Sequence, residues 1–285
     1  MRAGGHRRSL QEANLLRGAL IASAAVLVLL ALPPAPAAGA DLSTRSVVNF
    51  DRYVRVTESR LDRGAFLWID TLSAAQQQAR RDELRRGALI IEKQTTLDGG
   101  SEIDVPDALV HHWLGLAFVP GATLDQALAL LQDYNEHAQI YQPVVARSRL
   151  IARNGDTFRF YLRFLMKKVI TVVVDSEHEA RFTRPAPDRA EGRIHSTRIA
   201  EVEDPGTPKE HELPPGHDSG YLWRLNTYWR LLARDGGVYL QCESISLTRE
   251  IPLGLGWVVG PFVTSIPKES LTFTLETTRD RLAKQ

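Results

Sequence analysis

The sequence predicts an α+β fold in which a curved antiparallel sheet is closed over by a long C-terminal helix. Three observations carry this expectation. Between residues 144 and 249, extended runs follow one another across short turn signals, including Asn154-Gly155-Asp156 and Asp235-Gly236, the residue pairs of tight hairpins. Thr157 to Leu165 alternates, with Phe158, Phe160, Leu162 and Phe164 on one face and Arg159, Tyr161 and Arg163 on the other. The chain ends in a helix-like run, Pro267 to Leu282, in which Leu271, Leu275, Thr278 and Leu282 form one stripe. Such a stripe needs a surface to cover it, because a lone helix of this length is marginal in water.

Taken in order, the chain opens with Arg2, His6, Arg7, Arg8 and Arg17. An uncharged apolar run follows from Ala19 to Leu32, then Pro33-Pro34-Ala35-Pro36 and the small residues Ala38-Gly39-Ala40. Basic, apolar and small residues in that order make a secretory signal peptide. Cleavage after Ala40 is expected, leaving Asp41 as the mature start. The apolar run falls short of the roughly 20 residues of a spanning helix; an uncleaved anchor in the inner membrane is the alternative. The expected location is periplasmic or secreted.

Asp41 to Gly100 reads as an N-terminal extension with Val54, Leu61, Phe66, Leu67 and Ile69 as apolar anchors. Ser73 is placed to cap a polar, solvated helix running to Arg86 and stopped by Gly87. Ala88 to Gln94 reads as a short strand and Ala108 to Val119 as the first long one. Its His111 and His112 point to opposite faces, so they cannot form a paired metal site. Thr123 is a suitable N-cap for a helix carrying Leu124, Ala127, Leu128, Leu130 and Leu131 at helical spacing. A second short helix, Tyr134 to Tyr141, stops before Gln142-Pro143.

Strands are then expected over Val144–Arg153, Thr157–Leu165, Lys168–Val174, Ala180–Thr183 and Ile194–Val202. A turn is expected at Asp175-Ser176-Glu177 and a Pro-containing loop over Arg184–Gly192. Asp204 to Gly220, with four prolines, is long enough to be a disordered surface insert or a lid. Tyr221–Leu232 and Gly237–Arg249 complete a hairpin. In the first of these, Tyr221, Trp223, Leu225, Thr227, Trp229 and Leu231 share one face, and Arg224, Asn226, Tyr228 and Arg230 the other. The apolar bridge Ile251–Val263, with Gly254, Gly256 and Gly260-Pro261 as hinges, leads to Ser265 as cap and Pro267 at the first helical position.

The composition removes several classes of function. Net charge is +1 over 285 residues, with no basic stripe interleaved with aromatics, so nucleic acid is not an expected partner. The single cysteine, Cys242, allows neither an intramolecular disulfide nor a cysteine zinc site. The sequence has no Gly-rich phosphate loop, His-Glu-x-x-His or Ser-centred nucleophile elbow. His211-Glu212 and His217-Asp218 lie in the Pro-rich loop and read as solvated rather than as metal ligands. No cofactor, metal or catalytic residue is expected.

The order of strand, two short helices, about six antiparallel strands and a long C-terminal helix resembles the START-like helix-grip superfamily. That superfamily also includes Bet v 1-type allergens, polyketide cyclases and coenzyme Q-binding proteins. The resemblance covers Ser101 to Lys284. It is carried most by Gly220 to Arg230, by Asp235-Gly236-Gly237-Val238-Tyr239, and by the bridge and last helix. It divides the chain into a signal peptide (1–40), an extension (41–100) and a START-like ligand-binding domain (101–285). The extension, the 204–220 insertion and export depart from the family pattern.

The resemblance implies an apolar cavity between sheet and helix that takes lipids, sterols, polyketides or isoprenoid quinones. Its expected lining is Trp223, Leu225, Tyr228, Trp229, Arg224, Asn226, Glu243, Phe160, Leu271 and Leu275. Two arrangements stand open. If Arg224, Asn226, Tyr228 and Glu243 face the concave side, an Arg224–Glu243 pair could orient a ligand head group. If they face the convex side, they are solvated or covered by the extension, and the tryptophans line the cavity.

The expected function is non-enzymatic binding or carriage of an apolar small molecule or lipid, such as a hopanoid, sterol or quinone. The apolar bridge with Trp257 and Phe262 would then either touch a membrane transiently during loading or serve as helix-packing core. A cyclase- or hydrolase-like enzyme using Tyr228, Glu243 or Arg224 is the alternative, and an envelope interaction scaffold a third.

Overall fold

The computed structural model describes residues 40–167, 171–250 and 256–284. In chain order these form a two-residue strand β1 (Ala40–Asp41), helix α1 (Thr44–Arg63), a 3-10 turn (Trp68–Thr71) and helix α2 (Ala74–Arg85). Strands β2 (Ile90–Lys93), β3 (Leu97–Asp98), β4 (Ser101–Glu102) and β5 (Ala108–Pro120) follow. Two short helices, α3 (Leu124–Gln132) and α4 (His137–Ile140), precede β6 (Val145–Asn154), β7 (Thr157–Lys167), β8 (Thr171–Ala186) and β9 (Arg189–Glu203). After β10 (His211–Glu212) and β11 (His217–Asp218), the chain ends with β12 (Arg224–Arg234), β13 (Gly237–Arg249) and helix α5 (Gly256–Leu282). The expected signal peptide up to residue 39 and residues 251–255 of the apolar bridge lie outside the described residues.

One large sheet dominates, with strands in the order β2-β5-β13-β12-β9-β8-β7-β6 and β10 attached to β9. Every neighbouring pair in it is antiparallel. Helices α3, α4 and α5 pack on one face, here called concave, where the largest apolar cluster joins Phe158, Phe160, Trp229, Leu240, Leu271 and Leu275. The long C-terminal helix held against this antiparallel sheet is the helix-grip arrangement of an α+β fold. The stripe on α5 is buried at Leu271, Leu275, Thr278 and Leu282, as its spacing predicts. Gly115 on β5 seats the helix: a Cβ there would come within 2.3 Å of Leu275 Cδ1.

The N-terminal extension covers part of the opposite, convex face. No element is expected over residues 44–63, yet they form a 20-residue helix. Phe50, Tyr53, Val54, Thr57 and Leu61 recur at helical spacing and are buried, but charged residues between them dilute the pattern. Ser43 Oγ accepts from the Ser46 N–H at 3.1 Å to start the helix. Phe50, Tyr53, Val54 and Leu61 pack with Trp223, Tyr228, Ile245 and Leu247. Leu67, Ile69 and Leu84 continue the layer onto Leu114, Leu116, Phe118 and Tyr239. The described residues belong to one compact unit, with α1 and its following turn acting as a second layer on the sheet.

Other elements differ from expectation for identifiable reasons. Asp175-Ser176-Glu177 makes no turn; β8 runs straight through it. Asp175 is held by Arg163 and Tyr161 across the ladder, and Ser176 Oγ donates to Leu162 O at 3.0 Å. Their polarity is therefore satisfied within the sheet. Likewise β8 and β9 extend through most of the expected 184–192 loop, and Pro185 falls at a break in their register, where proline is tolerated. Helix α5 is continuous from Gly256, with Pro267 inside it rather than at its start.

Residues 204–220 are tied down by β10, by β11 pairing with β1, and by an ion pair from Glu210 to Arg163. Other expectations hold: Thr123 and Gln126 cap each other at the start of α3. The β12–β13 turn has Asp235 and Gly236 at φ of 58° and 74°, the left-handed pair of a type I′ hairpin.

Candidate functional site

The register of the central hairpin sorts the expected site residues onto two faces. Directly opposed strand residues share a face. On β12 and β13 the pairs Leu225/Ser246, Thr227/Ser244, Trp229/Cys242 and Leu231/Leu240 alternate with Asn226/Ile245, Tyr228/Glu243 and Arg230/Gln241. Trp229, Cys242, Leu231 and Leu240 belong to the concave cluster with Phe160, Leu271 and Leu275. Leu225 faces the same side, in a second apolar cluster with Val172, Val174 and Ile199.

Tyr228 and Glu243 occupy the convex side, as do Arg224 and Asn226 by their register. Trp223 breaks the alternation. It precedes the first ladder residue, and its Nε1–H donates to Asp218 Oδ1 at 2.8 Å, which places the indole among the convex aromatics beside Phe50 and Tyr228. The expected set is therefore split: Phe160, Trp229, Leu271 and Leu275 come together between sheet and C-terminal helix, Leu225 lies in the second cluster of the same face, and Trp223, Arg224, Asn226, Tyr228 and Glu243 do not join them.

Tyr228 and Glu243 are neither solvated nor open to a ligand, because α1 roofs them, while Arg224 is half-buried. Glu243 is 0% exposed. Its Oε1 accepts from His112 Nε2 at 2.7 Å and from Arg60 on α1. The Tyr53 hydroxyl, also on α1, lies 2.9 Å from the other His112 ring nitrogen and accepts from the Thr96 N–H. Burial opposes ionisation of Glu243, yet the hydrogen bonds and charges of His112 and Arg60 prevail and hold its pKa below the usual carboxylate range. Nearby, Glu58 accepts from His195 at 2.8 Å and from the Tyr228 hydroxyl at 3.1 Å. The His195 hydrogen bond lowers its pKa against the effect of burial. Arg230 reaches through the layer to the carbonyls of Leu61, Ala65 and Phe66, which closes the C-terminal end of α1 with a cation. These groups clamp the extension to the sheet.

The concave face has a different character. Its two apolar clusters are separated by a band of small polar side chains: Ser176 and His178 on β8, Ser196 on β9, Thr227 on β12, and Ser244 and Ser246 on β13. Strand alternation and pairing place all six on this face. Ser176 and His178 are fully buried. The imidazole of His178 stacks on Phe160 with centroids 5.1 Å apart, and Phe160 also stacks on Tyr134 at 3.7 Å. Burial depresses the His178 pKa to about 3, so the ring is neutral at physiological pH. Its Nδ1, the Tyr134 hydroxyl and His137 Nε2 are buried without a hydrogen-bond partner among the described residues.

Cys242 lies on the same face, fully buried; burial pushes its thiol pKa up and makes it unreactive. No group of three metal-ligating side chains occurs among the described residues, and among them no helix is long and apolar enough to cross a membrane. Two surface grooves, of about 570 and 360 Å³, lie beside α2, against Trp68, Gln76, Arg80 and Glu92, and at the margin of the concave cluster between α3 and β8, against Asp125, Leu128, Phe182 and Arg184.

Ser176 and His178 are not among the residues expected to line the site. The signal that would have found them is the same-face series Val172, Val174, Ser176, His178, Ala180, Phe182, which reads as one strand once the turn is discarded.

This arrangement defines the class of fold: an antiparallel sheet gripping a C-terminal helix, with a second helical layer behind. The chain matches no protein-family model and no curated protein. Among solved structures it is similar to a STAR-related lipid transfer protein from Xanthomonas axonopodis, at 19% identity and a TM-score of 0.43, over 68% of this chain and 99% of that one. Human STARD10 gives 12% identity and 0.42, over 73% and 80%. The Zhui aromatase/cyclase from Streptomyces sp. R1128 gives 14% and 0.37, over 61% and 94%.

Proposed function

We propose that this protein is a non-enzymatic binder or carrier of an apolar amphiphile, held against the concave face beneath the C-terminal helix. One observation carries the reading. The concave wall is apolar at both ends, with Trp229, Phe160, Leu271 and Leu275 in one cluster and Leu225, Val174 and Ile199 in the other, and polar in between. An apolar body gains roughly 0.8 kcal/mol per buried CH₂ against such a wall, and the polar band suits one head group. The groups an acid–base mechanism would need, Tyr228, Glu243 and Arg224, lie on the other face of the sheet, so nothing in the geometry favours the enzyme reading.

The order of basic, apolar and small residues over positions 2–40 supports export, with the mature chain starting at Asp41. A carrier that shields an apolar molecule has a use in the aqueous space beyond the inner membrane. Loading by transient membrane contact through Trp257 and Phe262 belongs to the same proposal.

Native mass spectrometry after gentle purification tests the binding reading. The expected spectrum shows a co-purifying apolar molecule. A protein that is repeatedly empty, and takes up nothing from a membrane extract, contradicts it. The N-terminal sequence of the isolated protein tests export: Asp41 is expected, and retained Met1 overturns cleavage.

A further inference from the structure

The concave band contains one group whose hydrogen-bonding role is fixed by its neighbours. Ser176 has a single hydroxyl proton, and that proton is committed to the Leu162 carbonyl at 3.0 Å. Its oxygen also lies 2.9 Å from His178 Nε2, and with the proton spent it can only accept there. His178 Nε2 therefore carries the hydrogen. In a neutral imidazole the other nitrogen is then a bare acceptor. Nδ1 is that nitrogen, and among the described residues no group forms a hydrogen bond with it. The side chain is 2% exposed and points into the concave face, beside Phe160 and Phe164. A buried acceptor left unpaired is costly, and native structures seldom keep one without a use.

We infer that His178 Nδ1 is the head-group acceptor of the ligand site, and that the ligand is an amphiphile bearing a hydroxyl donor. This rests on the binding reading above and sharpens it. An alcohol supplies the missing O–H to Nδ1 while its apolar body lies along Trp229 and Phe160 or along Leu225 and Val174. A quinone, ester or hydrocarbon carries no donor and leaves the acceptor unpaired. Such discrimination is strong in dry sites, because the wrong ligand forfeits a hydrogen bond that water no longer supplies. Ser176 is a positioning residue: it touches no ligand and acts by fixing the tautomer.

The test pairs each alcohol with its methyl ether, which differs by loss of the donor. Dodecanol and dodecyl methyl ether probe a linear body; cholesterol and cholesteryl methyl ether probe a polycyclic one. The tighter-binding alcohol names the source. Binding is read from tryptophan fluorescence, and His178 from the ¹⁵N shifts of labelled histidine. The wild type is expected to prefer alcohol over ether by a ratio about tenfold larger than that of His178→Phe. The His178 Nδ1 resonance should move towards the hydrogen-bonded range with the alcohol and stay in place with the ether, while Nε2 remains protonated throughout.

Phe keeps the aromatic packing. A second variant, Ser176→Ala, leaves Nδ1 in place but frees the tautomer, and should weaken the preference without abolishing binding. Binding of both probes with the same ratio in wild type and His178→Phe, or with no movement of Nδ1, overturns this inference and leaves the binding reading standing. Binding of neither probe, in a protein that also takes up nothing from membrane extract, overturns both.

Discussion

Replacing Gly115 by alanine tests how the C-terminal helix is seated. A Cβ at this position would lie 2.3 Å from Leu275 Cδ1, 2.8 Å from Ile91 Cδ1 and 3.4 Å from Leu271 Cδ2. Leu275 is 0% exposed, so its methyl has little room to retreat. Overpacking of this kind costs about 1–3 kcal/mol. Leu275→Ala alone removes buried methyl groups and leaves a cavity, at about 2–5 kcal/mol. In the double variant the cavity receives the new methyl, so the two losses should sum to at least about 1 kcal/mol more than the double variant loses. Urea unfolding of the four proteins, with unchanged m-values, gives the cycle directly. Additivity within about 0.5 kcal/mol would refute the reasoning, because it would mean the helix does not rest on the strand at Gly115.

Three further predictions follow from the convex layer and the hairpin. Glu243→Gln should lower stability near neutral pH. Because the folded-state pKa of Glu243 is depressed, its contribution is complete above the ordinary value of 4.5 and is lost as the pH falls through the folded one. The gap between wild type and variant should therefore narrow on acidification below 4.5 in chemical-denaturation series; a gap that widens there contradicts the assignment. Arg230→Met should cost about 2–3 kcal/mol by leaving the Leu61, Ala65 and Phe66 carbonyls without their charged donor. Hydrogen exchange should then rise first at the C-terminal end of α1. Gly237→Ala should be more damaging than Gly115→Ala, because its Cβ would meet the backbone oxygen of Val119 at 2.3 Å, which cannot rotate away; a smaller loss of melting temperature at Gly237 speaks against that geometry.

Much of the fold was legible because its signals are local. Thr123 with Gln126, Asn154-Gly155 and Asp235-Gly236 each specify a cap or turn through their own side chains or backbone preference. The alternation Phe158, Phe160, Leu162, Phe164 declares a face without reference to any partner. What failed was non-local. Asp175 and Ser176 mimic a turn because much of their polarity is satisfied by Arg163, Tyr161 and Leu162 on the neighbouring strand. Helix α1 was missed because its stripe of Phe50, Tyr53, Val54, Thr57 and Leu61 is set among charges that themselves bind the sheet, Arg60 to Glu243 and Glu58 to His195. The site was half legible for the same reason. Trp229, Leu271 and Leu275 follow from periodicity, whereas the side taken by Tyr228 and Glu243 depends on α1, and the role of His178 depends on a hydroxyl proton given to Leu162.

The placement of the ligand is the claim on which the rest depends. A long-chain alcohol bearing a photoreactive diazirine, cross-linked to the protein and mapped by peptide mass spectrometry, tests it most directly. Label on the peptides carrying Phe160, His178 and Trp229, displaced by unlabelled dodecanol, is the predicted result. Label confined to α1, α2 or the outer surface of the sheet would contradict the account.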